Sequence, residues 1–150
     1  MSIQKGVHPV VLAGGLGKRL WPLSRSDNPK QYVEIFDGNS LFQNTLQKLR
    51  NLGFQEVSVV CDAANLNLAK KQVEACDINC EFIVEPVGRN TAPALALFSL
   101  KSKKRDKTLF ILPSDHMIDF DNDFLKSLNL AKSHSDKGAF VLFGIKTRSP

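Results

Sequence analysis

The sequence predicts an α/β fold, three layers built around a mostly parallel sheet, and three observations carry that prediction. Five short β-rich runs recur at roughly even spacing: His8–Ala13, Glu56–Cys61, Cys80–Val84, Thr108–Leu112 and Ala139–Ile145. Several are almost continuously apolar, as in "SVVC", "LFIL" and "FVLFGI", the pattern of strands covered on both faces. Helical patterns fill the gaps, and such alternation builds a layered α/β domain with right-handed crossovers.

The first strand runs into three glycines, Gly14, Gly15 and Gly17, and then into a loop holding Pro22 and Pro29. Ser40 stands where it caps "LFQNTLQKLRNL", whose Leu41, Phe42, Thr45, Leu46 and Leu49 share one face before Gly53 stops the helix. Residues 63–75, 91–102 and 121–135 carry the other helices. Asp119, Asp121 and Asp123 suit the acidic first turn of the last one, where negative charge meets the positive end of the helix dipole. "KSKKRDK", Lys101 to Lys107, reads as a solvated helix end and loop.

Composition bounds the function. At 150 residues the chain is long enough for one domain with a proper core, and 43% hydrophobic with 23% charged residues is ordinary for a globular protein. No apolar run approaches the roughly 20 residues that cross a bilayer, and the start "MSIQKGVHPVVLAGG" is too short and too glycine-broken for a signal peptide. A cytoplasmic protein with no membrane partner is expected. The net charge of +5 comes largely from Lys101–Lys107, but no aromatic residues interleave with those cations, so nucleic acid is not expected either. Cys61, Cys76 and Cys80 are odd in number and His8, His116 and His134 are scattered, so no zinc pattern assembles; buried free thiols are expected.

The unusual residues fall where strands end, which is where open α/β sheets hold ligands. In "VVLAGGLGKRLWPLSRSDNPKQ", Val10 to Gln31, glycines let backbone N–H groups approach an anion, and Lys18 and Arg19 follow at once. Arginine offers a rigid fork for phosphate oxygens and lysine a mobile point charge; Lys30 can reach the same anion from the other side. The alternative for each is a solvated surface cation. The spacing is not that of a P-loop. Nor is it a dinucleotide fingerprint: Leu20 stands where a third small residue is required, Asp62 lies 47 residues after Gly15, and Pro22 and Pro29 interrupt the helix that should follow.

Two further stretches follow strands. In "LPSDHMI", Leu112 to Ile118, Asp115 is a strand-end carboxylate suited to Mg²⁺, which takes few protein ligands beside a polyphosphate; the alternative is a turn or cap residue. His116 reads as a hydrogen-bonded neighbour rather than a general base. In "EPVGRNTAPA", Glu85 to Ala94, Asn90 or Thr91 can cap the next helix, with Pro93 in its first turn.

These three motifs together resemble the sugar-nucleotide pyrophosphorylases, and within them the bacterial mannose-1-phosphate guanylyltransferases, enzymes often fused to or classed with type II phosphomannose isomerases. The stretch Trp21-Pro22-Leu23-Ser24-Arg25 separates this subgroup from the glucose-1-phosphate enzymes, while Tyr32 stands where phenylalanine is common. The resemblance implies a Rossmann-like nucleotidyltransferase fold and transfer from GTP to mannose 1-phosphate, giving GDP-mannose and pyrophosphate, with Mg²⁺ as cofactor. It implies that Leu12, Ala13, Gly14, Gly15, Gly17 and Lys18 wrap the nucleotide with Ser114, and that Glu85, Gly88, Arg89, Asn90 and Thr91 lie near base and ribose. Arg19, Lys30 and Asp115 would be catalytic, Asp115 as the metal ligand. Positioning and charge stabilisation would then supply the catalysis.

The chain stops at Pro150, before the family's sugar-binding stretch, so residues 1–150 are expected to be the N-terminal, nucleotide-binding part of the catalytic domain. A nucleotide-binding piece without turnover, another sugar-1-phosphate nucleotidyltransferase and a Rossmann-type oxidoreductase are the alternatives. An exposed sheet edge makes self-association into a homo-oligomer an expectation too.

Overall fold

The structure, a computed structural model, describes residues 3–15, 29–36, 38–88, 90–104 and 106–144. It divides into two compact units, residues 1–118 and 119–150. In the first, strand β1 (Val7–Leu12) enters the core at once; five of its six residues are buried and Leu12 is half-buried. A short antiparallel ribbon, β2 (Glu34–Phe36) with β3 (Asn39–Ser40), leads to helix α1 (Leu41–Asn51). There Ser40 and Gln43 form a reciprocal capping box: the Gln43 N–H donates to Ser40 Oγ at 3.1 Å and the Ser40 N–H to Gln43 Oε1 at 3.1 Å.

Strand β4 (Glu56–Asp62), helix α2 (Leu66–Glu74), strand β5 (Asn79–Glu85), helix α3 (Thr91–Lys101) and strand β6 (Thr108–Pro113) follow. The four long strands form one parallel sheet in the order β5-β4-β1-β6. Register puts Val10 opposite both Ser58 and Ile111, and Asp62 opposite Glu85. Val10, Leu12, Val60, Ile83, Leu109 and Ile111 therefore share one face, and they pack on Ala94, Leu97 and Phe98 of α3. The pleat turns Val11, Val57, Val59 and Cys61 to the other face, where they are also buried; α2 packs along β4 and β5. Both faces are covered, which is why these strands read as continuous apolar runs.

The strand order fixes where a ligand belongs. From β1 the chain steps outward to β4 and β5, then returns to the far side of β1 for β6. The order reverses between β1 and β6, and the crevice at their carboxyl ends is the general ligand position in such sheets.

In the second unit, Asp121 caps helix α4 (Asn122–Ser135) by accepting from the Phe124 N–H at 2.8 Å, and Phe124 stacks between Phe120 and Phe143. The strand expected over Ala139–Ile145 is not formed across residues 139–144, and Phe140 and Leu142 are exposed. An apolar run becomes a strand only when a neighbouring strand takes up its N–H and C=O groups, and among the described residues no strand pairs with it. Ile145 lies outside the described residues. Elsewhere the helix expected from residue 63 begins at Leu66, because the Asp62 carboxylate first accepts from the Asn65 N–H and Nδ2 at 2.9 Å and holds residues 63–65 in a turn. Cys61 and Cys76 are buried and Cys80 half-buried, all as free thiols; burial pushes the Cys61 thiol up to about 11 and that of Cys80 to about 12. No helix among the described residues is long and apolar enough to cross a membrane.

Candidate functional site

Three strand ends and one short turn converge at the carboxyl edge of the sheet. Beyond β1, the Ala13 N–H donates to the Val60 carbonyl at 2.8 Å and so extends the ladder one residue past the strand. The chain then turns through exposed Gly14 and Gly15. Gly15 sits at φ +105°, a conformation side chains rarely adopt. Gly14 is constrained by space instead: a Cβ there would stand 2.9 Å from Glu85 Oε2. Among the described residues neither glycine N–H is taken up by a backbone acceptor.

A three-residue 3-10 turn, Lys30–Tyr32, lies against this bend. Gln31 Nε2 donates to the carbonyls of Ala13 at 3.0 Å and Gly15 at 3.1 Å, and the Tyr32 hydroxyl donates to Ala13 at 3.1 Å. Both side chains are buried. Gln72 of α2 holds the turn from behind: its Nε2 donates to the Tyr32 carbonyl at 2.8 Å while its Oε1 accepts from Ser40 Oγ at 2.6 Å. Of these three residues only Tyr32 stood out in the sequence, and only as a replacement for phenylalanine. The nearest signal was a glutamine and a tyrosine directly after a proline-fixed lysine.

Lys30 projects from the same turn to Asp115, 85 residues away, with Nζ and Oδ2 at 3.4 Å. The two side chains are 29% and 40% exposed, so the pair is open to a third charged group. Asp115 follows β6, where the buried Ser114 donates its N–H to the Leu12 carbonyl at 3.0 Å. Lys48 of α1 ties down the far end of this loop through the Ile118 carbonyl at 2.8 Å. His116 was expected to hydrogen-bond in the site; its Nε2 lies 3.8 Å from Asp115 Oδ1, beyond hydrogen-bond reach, and its side chain is half exposed.

Beyond β5, Glu85 is buried beside Gly14. Burial, and then the Asp62 carboxylate next to it, raise the Glu85 carboxyl above its ordinary range. Asn90 precedes α3 as expected, but its side chain makes no cap hydrogen bond. Its backbone sits at φ +66°, a conformation costing on the order of 1–3 kcal/mol and found preferentially at functional sites. Gly88 and Thr91 flank it, both exposed. Gly17, Lys18, Arg19 and Arg89 lie outside the described residues.

Four of the candidate residues thus lie in two close pairs, Lys30 with Asp115 and Gly14 with Glu85, while Leu12 belongs to the core and Ala13 has both backbone groups occupied. The edge between β1 and β6 offers glycine amide donors with no backbone acceptor among the described residues, together with the Lys30 ammonium and the Asp115 carboxylate. That set suits an anion accompanied by a cation.

Comparison with known proteins follows the same lines. A model of the nucleotidyl transferase family matches residues 8–150. The chain is 42% identical over 145 residues to the alginate biosynthesis protein AlgA of Pseudomonas aeruginosa, covering 95% of this chain and 30% of that protein. It is 38% identical over 145 residues to a mannose-1-phosphate guanylyltransferase of Escherichia coli, covering 95% of this chain and 31% of that one. Among solved structures, one described as a mannose-1-phosphate geranyltransferase of Thermus thermophilus superposes with a TM-score of 0.72 at 31% identity, over 89% of this chain and 39% of that one. The chain therefore spans under a third of the length of the curated relatives it matches.

Proposed function

The chain belongs to the nucleotidyl transferase family, and from that premise we propose that it forms the nucleotide-binding part of a cytoplasmic enzyme that makes GDP-mannose from GTP and mannose 1-phosphate. The observation that carries the reading is the meeting of Gly14, Gly15, Lys30 and Asp115 at the point where strand order reverses. The choice of guanine and mannose rests on the names of the relatives.

In the reaction, a phosphate oxygen of mannose 1-phosphate attacks the α-phosphorus of GTP in line. The new P–O bond forms as the bond to the β-phosphate oxygen breaks, and pyrophosphate leaves with the electron pair. The attacking oxygen is already ionised, so no proton need be abstracted, and the chain's task is positioning and charge stabilisation. The glycine turn offers its N–H groups to phosphate oxygens, and Lys30 meets the charge that builds on the α-phosphate. Gly17, Lys18 and Arg19 follow in the sequence, and the Arg19 guanidinium would add a fork for the same oxygens. Glu85, Gly88, Arg89, Asn90 and Thr91 border the nucleoside.

The donor set fits Mg²⁺. Among the described residues no three His, Cys, Asp or Glu side chains gather to form a cage, and Asp115 is a single, partly exposed carboxylate. Mg²⁺ is held in this way, by one or two carboxylates with phosphate oxygens and water completing the octahedron. Bound at Asp115, it would neutralise charge on the triphosphate.

Calorimetric titration of GTP at varied Mg²⁺ tests the reading. Affinity for GTP should rise with Mg²⁺ in the parent and hardly at all in Asp115→Asn, with both proteins melting alike. An identical Mg²⁺ dependence in the two would make Asp115 a turn residue, and binding of NAD in preference to GTP would overturn the function itself.

A further inference from the structure

We propose that Gln31 and Tyr32 are positioning residues that set which way the glycine turn presents its amides to the triphosphate; this rests on the nucleotide site proposed above. A turn of two adjacent glycines is the least constrained backbone a chain can make. Left to itself it would show carbonyls to an anion as readily as N–H groups. The planar trans peptide removes that freedom once one end is held, because the C=O and the following N–H point in opposite directions. The Ala13 carbonyl is held inward by two donors, Gln31 Nε2 at 3.0 Å and the Tyr32 hydroxyl at 3.1 Å. The N–H of Gly14, on the same peptide plane, is thereby turned toward the open side. Gln31 also holds the Gly15 carbonyl at 3.1 Å and keeps a second acceptor away from the phosphates.

The clamp has the properties such a role requires. Two carbonyl acceptors fix the amide of Gln31 with its –NH₂ end toward the turn. Burial raises the Tyr32 phenol far above its ordinary range, so it stays protonated and remains a donor. Its ring lies edge-on to Phe42 at 5.4 Å, and its own carbonyl is held by Gln72, which Ser40 holds in turn. Position is thus passed from α1 and α2 to the glycines. Lys30 leaves the same three-residue turn, so one element aims both the amides and the ammonium.

The test compares GTP with guanosine, since an amide-orienting role affects only the phosphates. In Gln31→Met, which keeps bulk and removes the donor, affinity for GTP should fall about tenfold, the scale of one or two lost hydrogen bonds. In Tyr32→Phe it should fall severalfold. Guanosine affinity should stay at the parent's value in both, so the gain contributed by the phosphates shrinks. Equal losses for GTP and guanosine, or parental GTP binding in both variants, would overturn the inference. Should Gln31→Met fail to fold, Tyr32→Phe decides alone, since it removes only a hydroxyl. A parent that binds GTP no better than guanosine would instead bring down the nucleotide site, and this inference with it.

Discussion

At the amino end of β1, His8 Nε2 lies 2.8 Å from Ser58 Oγ, and Ser58 Oγ donates onward to Glu81 Oε2 at 3.1 Å; at the carboxyl end, 3.4 Å separates Lys30 from Asp115 and the glycine turn is exposed. The first group is closed. Ser58 gives its proton to a carboxylate and so accepts from an Nε2–H of His8, and the His8 ring stacks on Phe98. The second is open, with half-exposed charges and exposed glycines. The same sheet therefore places polar groups at both ends of one strand, and what separates structure from function is whether their partners are all inside. Among the described residues no buried side-chain nitrogen or oxygen lacks a partner. Binding capacity is confined to groups that water still reaches.

Lys30→Ala should break the contrast most strongly. In the proposed reaction, removing the cation assigned to the developing charge would cost about 10²–10³-fold in rate, while loss of an exposed ion pair costs about 0–1 kcal/mol of stability. Single-turnover GDP-mannose formation beside thermal unfolding would read both; a large loss of stability with the rate intact would put Lys30 in the framework instead. Ser58→Ala is the mirror experiment. It leaves Glu81 and His8 without their shared partner and should cost about 1–3 kcal/mol in urea unfolding, with turnover per folded molecule unchanged.

The smallest expected effect is a slope with pH. Burial lowers the His8 pKa, with Lys104 and Lys107 pushing the same way and Glu56 and Glu81 opposing. Neutral His8 then stabilises the fold fully above its unfolded value of about 6.5, and this is lost as pH falls through the lowered folded value. The Glu56 carboxyl is itself lowered, first by its hydrogen bond from Lys104, so its contribution disappears in a separate, more acid window. The urea midpoint should fall between pH 7 and pH 5, and less steeply in His8→Gln. An unchanged slope in that variant would assign the titration elsewhere.

Much of the sheet was legible because both of its faces are buried, so apolar runs alone mark four strands to within one residue at each end. The Ser40 cap and the buried face of α1 were equally plain, since they depend on neighbours three and four residues away. The β2–β3 ribbon was not, because three residues paired with two leave no periodicity to read. The run 139–144 misled for the opposite reason: it has strand composition but no partner to pair with among the described residues. At the site, Lys30 and Asp115 could be named as separate candidates, but their meeting depends on the strand order. The clamp from Gln31, Tyr32 and Gln72 spans up to 40 residues and follows no local rule. Ser58 and Glu81 interrupt apolar strands, a signal that gains meaning only from the register that sets them opposite each other.

Gly14 and Glu85 claim one volume, since a methyl on the first would stand 2.9 Å from a carboxylate oxygen of the second. Glu85 is buried, so that oxygen has little open space to move into. The two positions are therefore coupled through space. A shorter side chain at 85 opens room in which position 14 can later grow, whereas growth at 14 first must dislodge the carboxyl. What one position tolerates therefore depends on the other, although 71 residues separate them in sequence.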